Sequence, residues 1–282
     1  MSFPNPPRSR GRAVRLRPLA LAGAAAWAAA CGGNNTAPAG GKTAPGADRT
    51  AKTAVLEDGA KILQRKTPVD QIALYLDGFH AAKADPAMQM EAHHYCNQVN
   101  QDFAQCVLFD GNGKDARMMG VEYIISAKLY AALPAGERMY WHPHNYEVLS
   151  GELRAPGLPE VAEHAALKDK INSYGKTWHT WMTGMHGRAS DSLPYGPAVL
   201  QWSFNRDGEA DPQMVAARDQ RMGLNTAQAR KDRADLAPLA RPQGGVDAMR
   251  GEFPNAAGAP AGVADDGDRS TRGVPVLTTR QP

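Results

Sequence analysis

The chain has 282 residues, 43% hydrophobic and 22% charged, the composition of a soluble globular protein with one domain or two small ones. Its formal net charge of +3 is misleading, because Arg8, Arg10, Arg12, Arg15 and Arg17 fall in an opening stretch of 30 residues with no acid. Without those five, 27 basic residues face 29 acidic ones, so the remainder has no global field to draw in nucleic acid.

The first residues read as an address. An arginine-rich segment precedes the apolar stretch Leu19 to Ala30, LALAGAAAWAAA. As a helix it would reach only ~18 Å, short of the ~30 Å hydrocarbon core, so it is a secretory signal over 1–30 rather than a membrane span. Cys31 follows directly after Ala28-Ala29-Ala30. This arrangement resembles a bacterial lipoprotein signal, in which small residues precede a cysteine that is acylated, although Ala28 stands where that family favours Leu. The resemblance implies an exported protein held at the membrane by acyl chains on Cys31. The lack of an Asp after Cys31 implies the outer membrane, facing the periplasm. Acyl chains contribute ~0.8 kcal/mol per buried methylene, enough in combination for stable anchoring. Residues 31–50 are mostly Gly, Ala, Pro, Thr and Asn and read as a flexible linker.

The foldable core is expected over 51–236. Thr53 is placed to cap a helix with the stripe Leu56, Ala60 and Leu63, ending before Pro68. Ile72, Leu74 and Leu76 alternate as in a strand. Glu91 to Val99 and Phe103 to Phe109 read as a hairpin, and Asp110-Gly111-Asn112-Gly113 as a turn. Val121 to Ile125 is a further strand, after which Ser126 caps a short helix closed by Pro134. His144 to Leu149 reads as a strand, and Glu160 to Tyr174 as a helix stopped by Gly175. Trp178 to Met182 and Ala198 to Phe204 read as strands. Asp211 caps a helix with Pro212 at its first position and Gly223 at its end. From 237 to 282 the Gly/Ala/Pro/Asp composition predicts a disordered tail, with one short docked strand at Val274–Leu277. The fold class is α+β: a mainly antiparallel sheet with several short helices, flanked by disordered N- and C-terminal segments.

The eight histidines are the chemical content. On a strand His142 and His144 share a face, and Pro143 favours extension. Two imidazoles and a third donor from another strand make a metal site with an open position, and His179 is the natural third. Glu147 lies an odd number of residues from both, which on a regular strand puts it on the opposite face. His-x-His followed by Glu resembles the metal motif of cupin barrels, but with two intervening residues where that family has three or four. His93 and His94 are adjacent, so only one of them can join such a site; His93 is carried as the fourth candidate ligand. A divalent transition metal is the candidate cofactor. The competing reading makes these histidines hydrogen-bonded core residues.

Cys96 and Cys106 lie on the proposed hairpin and form either a disulfide or two buried thiols. No nucleophile elbow, Walker loop, dinucleotide fingerprint, calcium loop or marked pair of catalytic acids appears, so no reaction is assigned; Glu122 is read as a scattered acid. EAHHYC at 91–96, GVEYIIS at 120–126, WHPHNYEV at 141–148 and YGKTWHTW at 174–181 together resemble the oil body-associated protein family, first described as a domain of unknown function. The resemblance runs from about Val55 to Leu224. It implies a link with lipid surfaces and no established enzymatic activity. The expectation is a lipid-anchored envelope protein that binds something or serves structurally. A metal-binding protein or metal-dependent enzyme built on His142, His144, His179 and His93 is the alternative.

Overall fold

The computed structural model describes residues 45–273. The expected signal segment, Cys31, most of the linker and the expected strand at Val274–Leu277 lie outside the described residues. The fold is built on a long meander. Strand β1 (Leu74–Ala82) pairs antiparallel with β2 (Asp85–Asn100), β2 with β3 (Phe103–Phe109), and β3 with β4 (Met118–Ile125). Strands β6 (Tyr174–His179) and β7 (Val199–Trp202) then close the ring, β4 pairing with β6, β6 with β7 and β7 with β1. The result is a six-stranded antiparallel barrel, with a seventh strand, β5 (His142–Pro143), added against β6. The expected antiparallel α+β architecture is thus observed, closed upon itself so that the barrel strands have few free edges.

Register decides what faces the lumen. Leu76 pairs with His94, His94 with Leu108, Leu108 with Gly120 and Gly120 with His179. One rung along, Cys96 pairs with Cys106, Cys106 with Glu122, Glu122 with Thr177 and Thr177 with Gln201. Directly paired residues share a face, so these two rungs define the inside. Part of the lumen is apolar, lined by Met90, Ala92, Ala104, Leu108 and Ile124. Cys96 and Cys106, opposite one another, form a disulfide within it.

The helices sit outside. Helix α1 (Ala51–Leu63) is capped by the Thr50 hydroxyl rather than by Thr53, and it buries none of its residues. Helix α2 (Thr67–Asp70) begins with Pro68 in its first turn and leads into the barrel. Helix α3 (Ala127–Ala131) is capped by Ser126 as expected, and α4 (Ala135–Arg138) follows Pro134. Two expectations fail between β4 and β6. Residues 145–150 form a helix, α5 (Asn145–Ser150), instead of a strand, because the chain turns at His144 immediately after its two-residue pairing with β6. Helix α6 (Glu160–Lys168) ends well before Gly175, and that glycine lies inside β6, paired with Ile124. Helix α7 (Pro212–Met222) keeps its expected Asp211 cap and Gly223 stop, and α8 (Thr226–Asp232) follows.

A second core forms between the outer face of β1 and the later segments. It holds Phe79, Ala81, Tyr146, Val148, Trp202, Phe204 and Leu236, together with Val246, Met249, Phe253 and Val263. The tail expected to begin at 237 therefore packs through to the end of the described residues. Its apolar side chains are too sparse to show a period, yet Val246, Met249, Phe253 and Val263 all land in this core. Lys83 fastens the segment: its ammonium donates to the Met139 carbonyl at 2.7 Å and the Thr271 carbonyl at 2.8 Å, over the Trp202 ring.

The same core carries a titrating acid. Glu152 is buried, accepts a hydrogen bond from the Tyr146 hydroxyl, and burial raises its pKa to about 7. Between its ordinary value near 4.5 and pH 7 the unfolded chain releases a proton that the folded one retains. Stability should therefore fall as pH rises through this window. Glu152→Gln should remove that slope. It should leave stability at pH 4 unchanged and raise it at pH 8 by about 1–3 kcal/mol in urea unfolding. Equal midpoint shifts at both pH values would refute the assignment.

Candidate metal centre

Four strands deliver imidazoles to the lumen. His80 (β1), His94 (β2), His142 (β5) and His179 (β6) are all buried, and the His80 ring lies 5.1 to 5.6 Å from each of the other three. His144, at the head of α5, stands 5.1 Å from His142, ring to ring. Glu122 (β4) projects among them. Its Oε2 is 2.8 Å from His94 Nε2 and 4.0 Å from His80 Nε2. Its Oε1 is 3.3 Å from His144 Nε2 and 3.6 Å from His142 Nε2. The two imidazole nitrogens of His142 and His144 are 3.3 Å apart. Donors about 2.0–2.2 Å from one ion are separated by roughly 3.0 Å at a right angle and 3.4 Å at the tetrahedral angle. The spacing around Oε1 is close to that of a coordination shell.

Gly175 makes this approach possible. A β-carbon there would stand 2.5 Å from His142 Nε2 and 2.6 Å from His144 Nε2, and closer still to Glu122 Oε1. The three donors converge on a point that any other residue would fill. Their orientation is fixed from behind. The Ser173 hydroxyl donates to the Lys170 carbonyl at 2.7 Å, so it accepts from His144 Nδ1–H at 2.8 Å. That assigns the proton to Nδ1 and turns the Nε2 lone pair inward, the usual support of a metal-ligating histidine.

The electrostatics suit a cation. Burial holds the His80 and His142 pKa values well below normal against the opposing pull of Glu122, and burial lowers His179 to about 3. Neutral imidazoles are the ligating form. Burial opposes ionisation of Glu122, but the imidazoles gathered on its two oxygens, His144 and His94 first, outweigh it and hold its pKa well below normal. Burial, then Glu122 and Glu152, pushes Glu147 well above the usual range. Among the described residues, Nδ1 of His80, His94 and His142, Nε2 of His179, and the Thr177 hydroxyl are buried without a hydrogen-bond partner. Each such atom costs about 1–3 kcal/mol, and on His80, His94 and His142 it is the ring nitrogen opposite the one that faces Glu122, so an ion held by Nε2 would not relieve it. A cavity of about 10 Å³, a single water site in size, adjoins His94, Glu122, His144 and Glu147, with Leu76, Leu153 and Lys170 around it.

The candidate ligands are thus sorted. His142 and His144 meet, although His144 stands at the head of α5 and not on a strand with His142. Glu147 also faces them, its Oε2 3.7 Å from His144 Nε2, because the helical turn from 144 to 147 replaces the strand parity that would have pointed it away. His179 lies in the lumen, but its Nδ1 contacts Met90 Sδ at 3.0 Å and it stays at the margin. His93 does not join the site. It points outward, where Nδ1 is 3.2 Å from Asp77 and Nε2 is 3.2 Å from Glu91; His94 takes the lumen position. Asp77, Glu91 and His93 are spaced for a cation, yet Arg218 already pairs with Asp77 and Arg221 with Glu91. The two carboxylates also address different nitrogens of His93, so this is an ion-pair network rather than a second metal site. The sequence reading leaves out His80, which no local motif marks, and Glu122, which lies within GVEYIIS but has no ligand spacing of its own to single it out.

Fold and site together define a closed antiparallel barrel with a histidine–carboxylate centre in its lumen. A family profile described as protein of unknown function (DUF1264) matches residues 66–237. Oil body-associated protein 2A of Zea mays is 38% identical over 206 residues, covering 72% of this chain and 80% of that protein. Oil body-associated protein 1B of Arabidopsis thaliana is 34% identical over 197 residues, covering 70% and 80%. The chain belongs to this family, shared with the oil body-associated proteins. No solved structure matches it.

Proposed function

We propose that the protein is a metal-binding barrel whose centre takes a first-row divalent transition metal. One observation carries the reading: Glu122 Oε1, His142 Nε2 and His144 Nε2 gather on the open side of Gly175 at near-coordination spacing. Imidazole and carboxylate donors suit zinc, iron, manganese or nickel rather than a hard calcium ion or a thiolate-seeking one. The adjoining cavity leaves a position for one solvent molecule, the arrangement of reactive rather than purely structural sites. The test is elemental analysis of gently purified protein, with thermal unfolding before and after chelation. A stoichiometric metal and a melting temperature lowered by chelator are expected. Metal-free protein that takes up none of these ions on titration would refute the reading.

The location is a further part of the proposal. The arginine-rich start, the apolar stretch and Cys31 support export and acylation, giving a lipoprotein of the cell envelope. The disulfide is consistent with an oxidising compartment. The plant relatives are named for association with oil bodies, which supports residence at a lipid surface by a different route. Replacing Cys31 with Ala should move the protein from the membrane pellet to the soluble fraction. A variant that still sediments with membranes would sink the anchoring proposal.

A further inference from the structure

The geometry points to a dinuclear centre, two divalent ions bridged by the Glu122 carboxylate. This rests on the metal-binding reading and deepens it. The two oxygens of Glu122 address different pairs of histidines: Oε2 faces His94 and His80, whereas Oε1 faces His144 and His142. Each pair forms a compact triad with the carboxylate, all donor atoms lying within 4.8 Å of one another. Among the described residues, no such set joins His94 to either His142 or His144. Donors around one ion at about 2.1 Å can be at most about 4.2 Å apart, even when opposite one another. One ion therefore cannot take all four histidines of the two triads without moving the strands that carry them, whereas two ions can each use one triad.

Glu147 adds a second line. It forms a set with His80 from the first triad and His142 from the second, so it too reaches towards both positions. Four imidazoles and two carboxylates, one carboxylate shared and the other lying between, form the donor set of a pair of ions. A single ion that keeps an open position takes about three protein ligands. Paired ions about 3.5–4 Å apart commonly clamp one small oxygen ligand between them, and the water-sized cavity beside Glu122 and Glu147 offers space for such a ligand.

The test is reconstitution of the metal-free full-length protein with Mn2+, followed by gel filtration, elemental analysis and electron paramagnetic resonance. Two Mn2+ per chain and an exchange-coupled spectrum are expected. His94→Ala and His144→Ala, each checked for folding by circular dichroism, should reduce the content from two to one and restore the six-line signal of isolated Mn2+. One ion per wild-type chain with an uncoupled signal would overturn the dinuclear centre and leave the metal reading intact. Uptake of no ion would overturn both. Either variant retaining two coupled ions would also overturn the assignment of the triads.

Discussion

Gly175→Ala should strip the centre of its metal, lowering affinity at least 100-fold, while the barrel still folds. The added methyl group would intrude on Glu122 Oε1, His142 Nε2 and His144 Nε2 together. None of the three can withdraw freely. His144 is held through Ser173, His142 sits on the β5–β6 ladder, and Glu122 lies on a central strand paired on both sides. The overpacking itself should cost about 1–3 kcal/mol of stability. Isothermal titration with Zn2+ and urea unfolding measure the two effects separately. A G175A protein that binds metal as tightly as wild type would show that the donors do not meet over this glycine.

Arg218→Met should destabilise the fold by about 3–5 kcal/mol, the largest loss expected from any single side chain described above. Arg218 is fully buried. It pairs with Asp77, donates to Asp219 Oδ1, to the Glu152 carbonyl and to Thr226 Oγ1, and lies over the Phe79 ring. Met preserves the apolar stem and removes the charge, leaving Asp77 buried beside Glu91. Burial and Glu91 already push the Asp77 pKa up, against the pull of Arg218 and His93. Without Arg218, Asp77 should take up a proton more readily, so the loss should shrink towards acid pH. Adding Asp77→Asn should recover part of the stability. A single-variant loss below 1 kcal/mol, or no recovery in the double variant, would show that the network is not coupled in this way.

Much of this arrangement could be read from local sequence, and the reasons for the remainder are specific. The β2–β3 hairpin was legible from alternation and a short polar link, and α7 from Asp211, Pro212 and Gly223. His142 and His144 were legible as a pair because two residues of extended chain suffice to align them. Glu122 was not, since Val121 and Tyr123 beside it give no hint. Its role comes from pairing with Cys106 on one side and Thr177 on the other, a fact of register between distant strands. His80 is hidden for the same reason. Gly175 follows a helical pattern and so looked like a stop, although its use is to admit three donors. Glu147 was misplaced because one turn of helix at 145–150 changes which side a residue three positions on will face.

The family profile ends at 237, but the centre is braced from beyond that point. Gln243 is buried; its Oε1 accepts from the Asn145 amide at 2.9 Å, and its Nε2 donates to the Ser173 carbonyl at 2.9 Å. Those two neighbours are the residue following His144 and the residue whose hydroxyl orients it. A chain trimmed to 66–237 would keep every candidate ligand and lose the keystone between them, so the span of the profile is narrower than the span that holds these side chains in place.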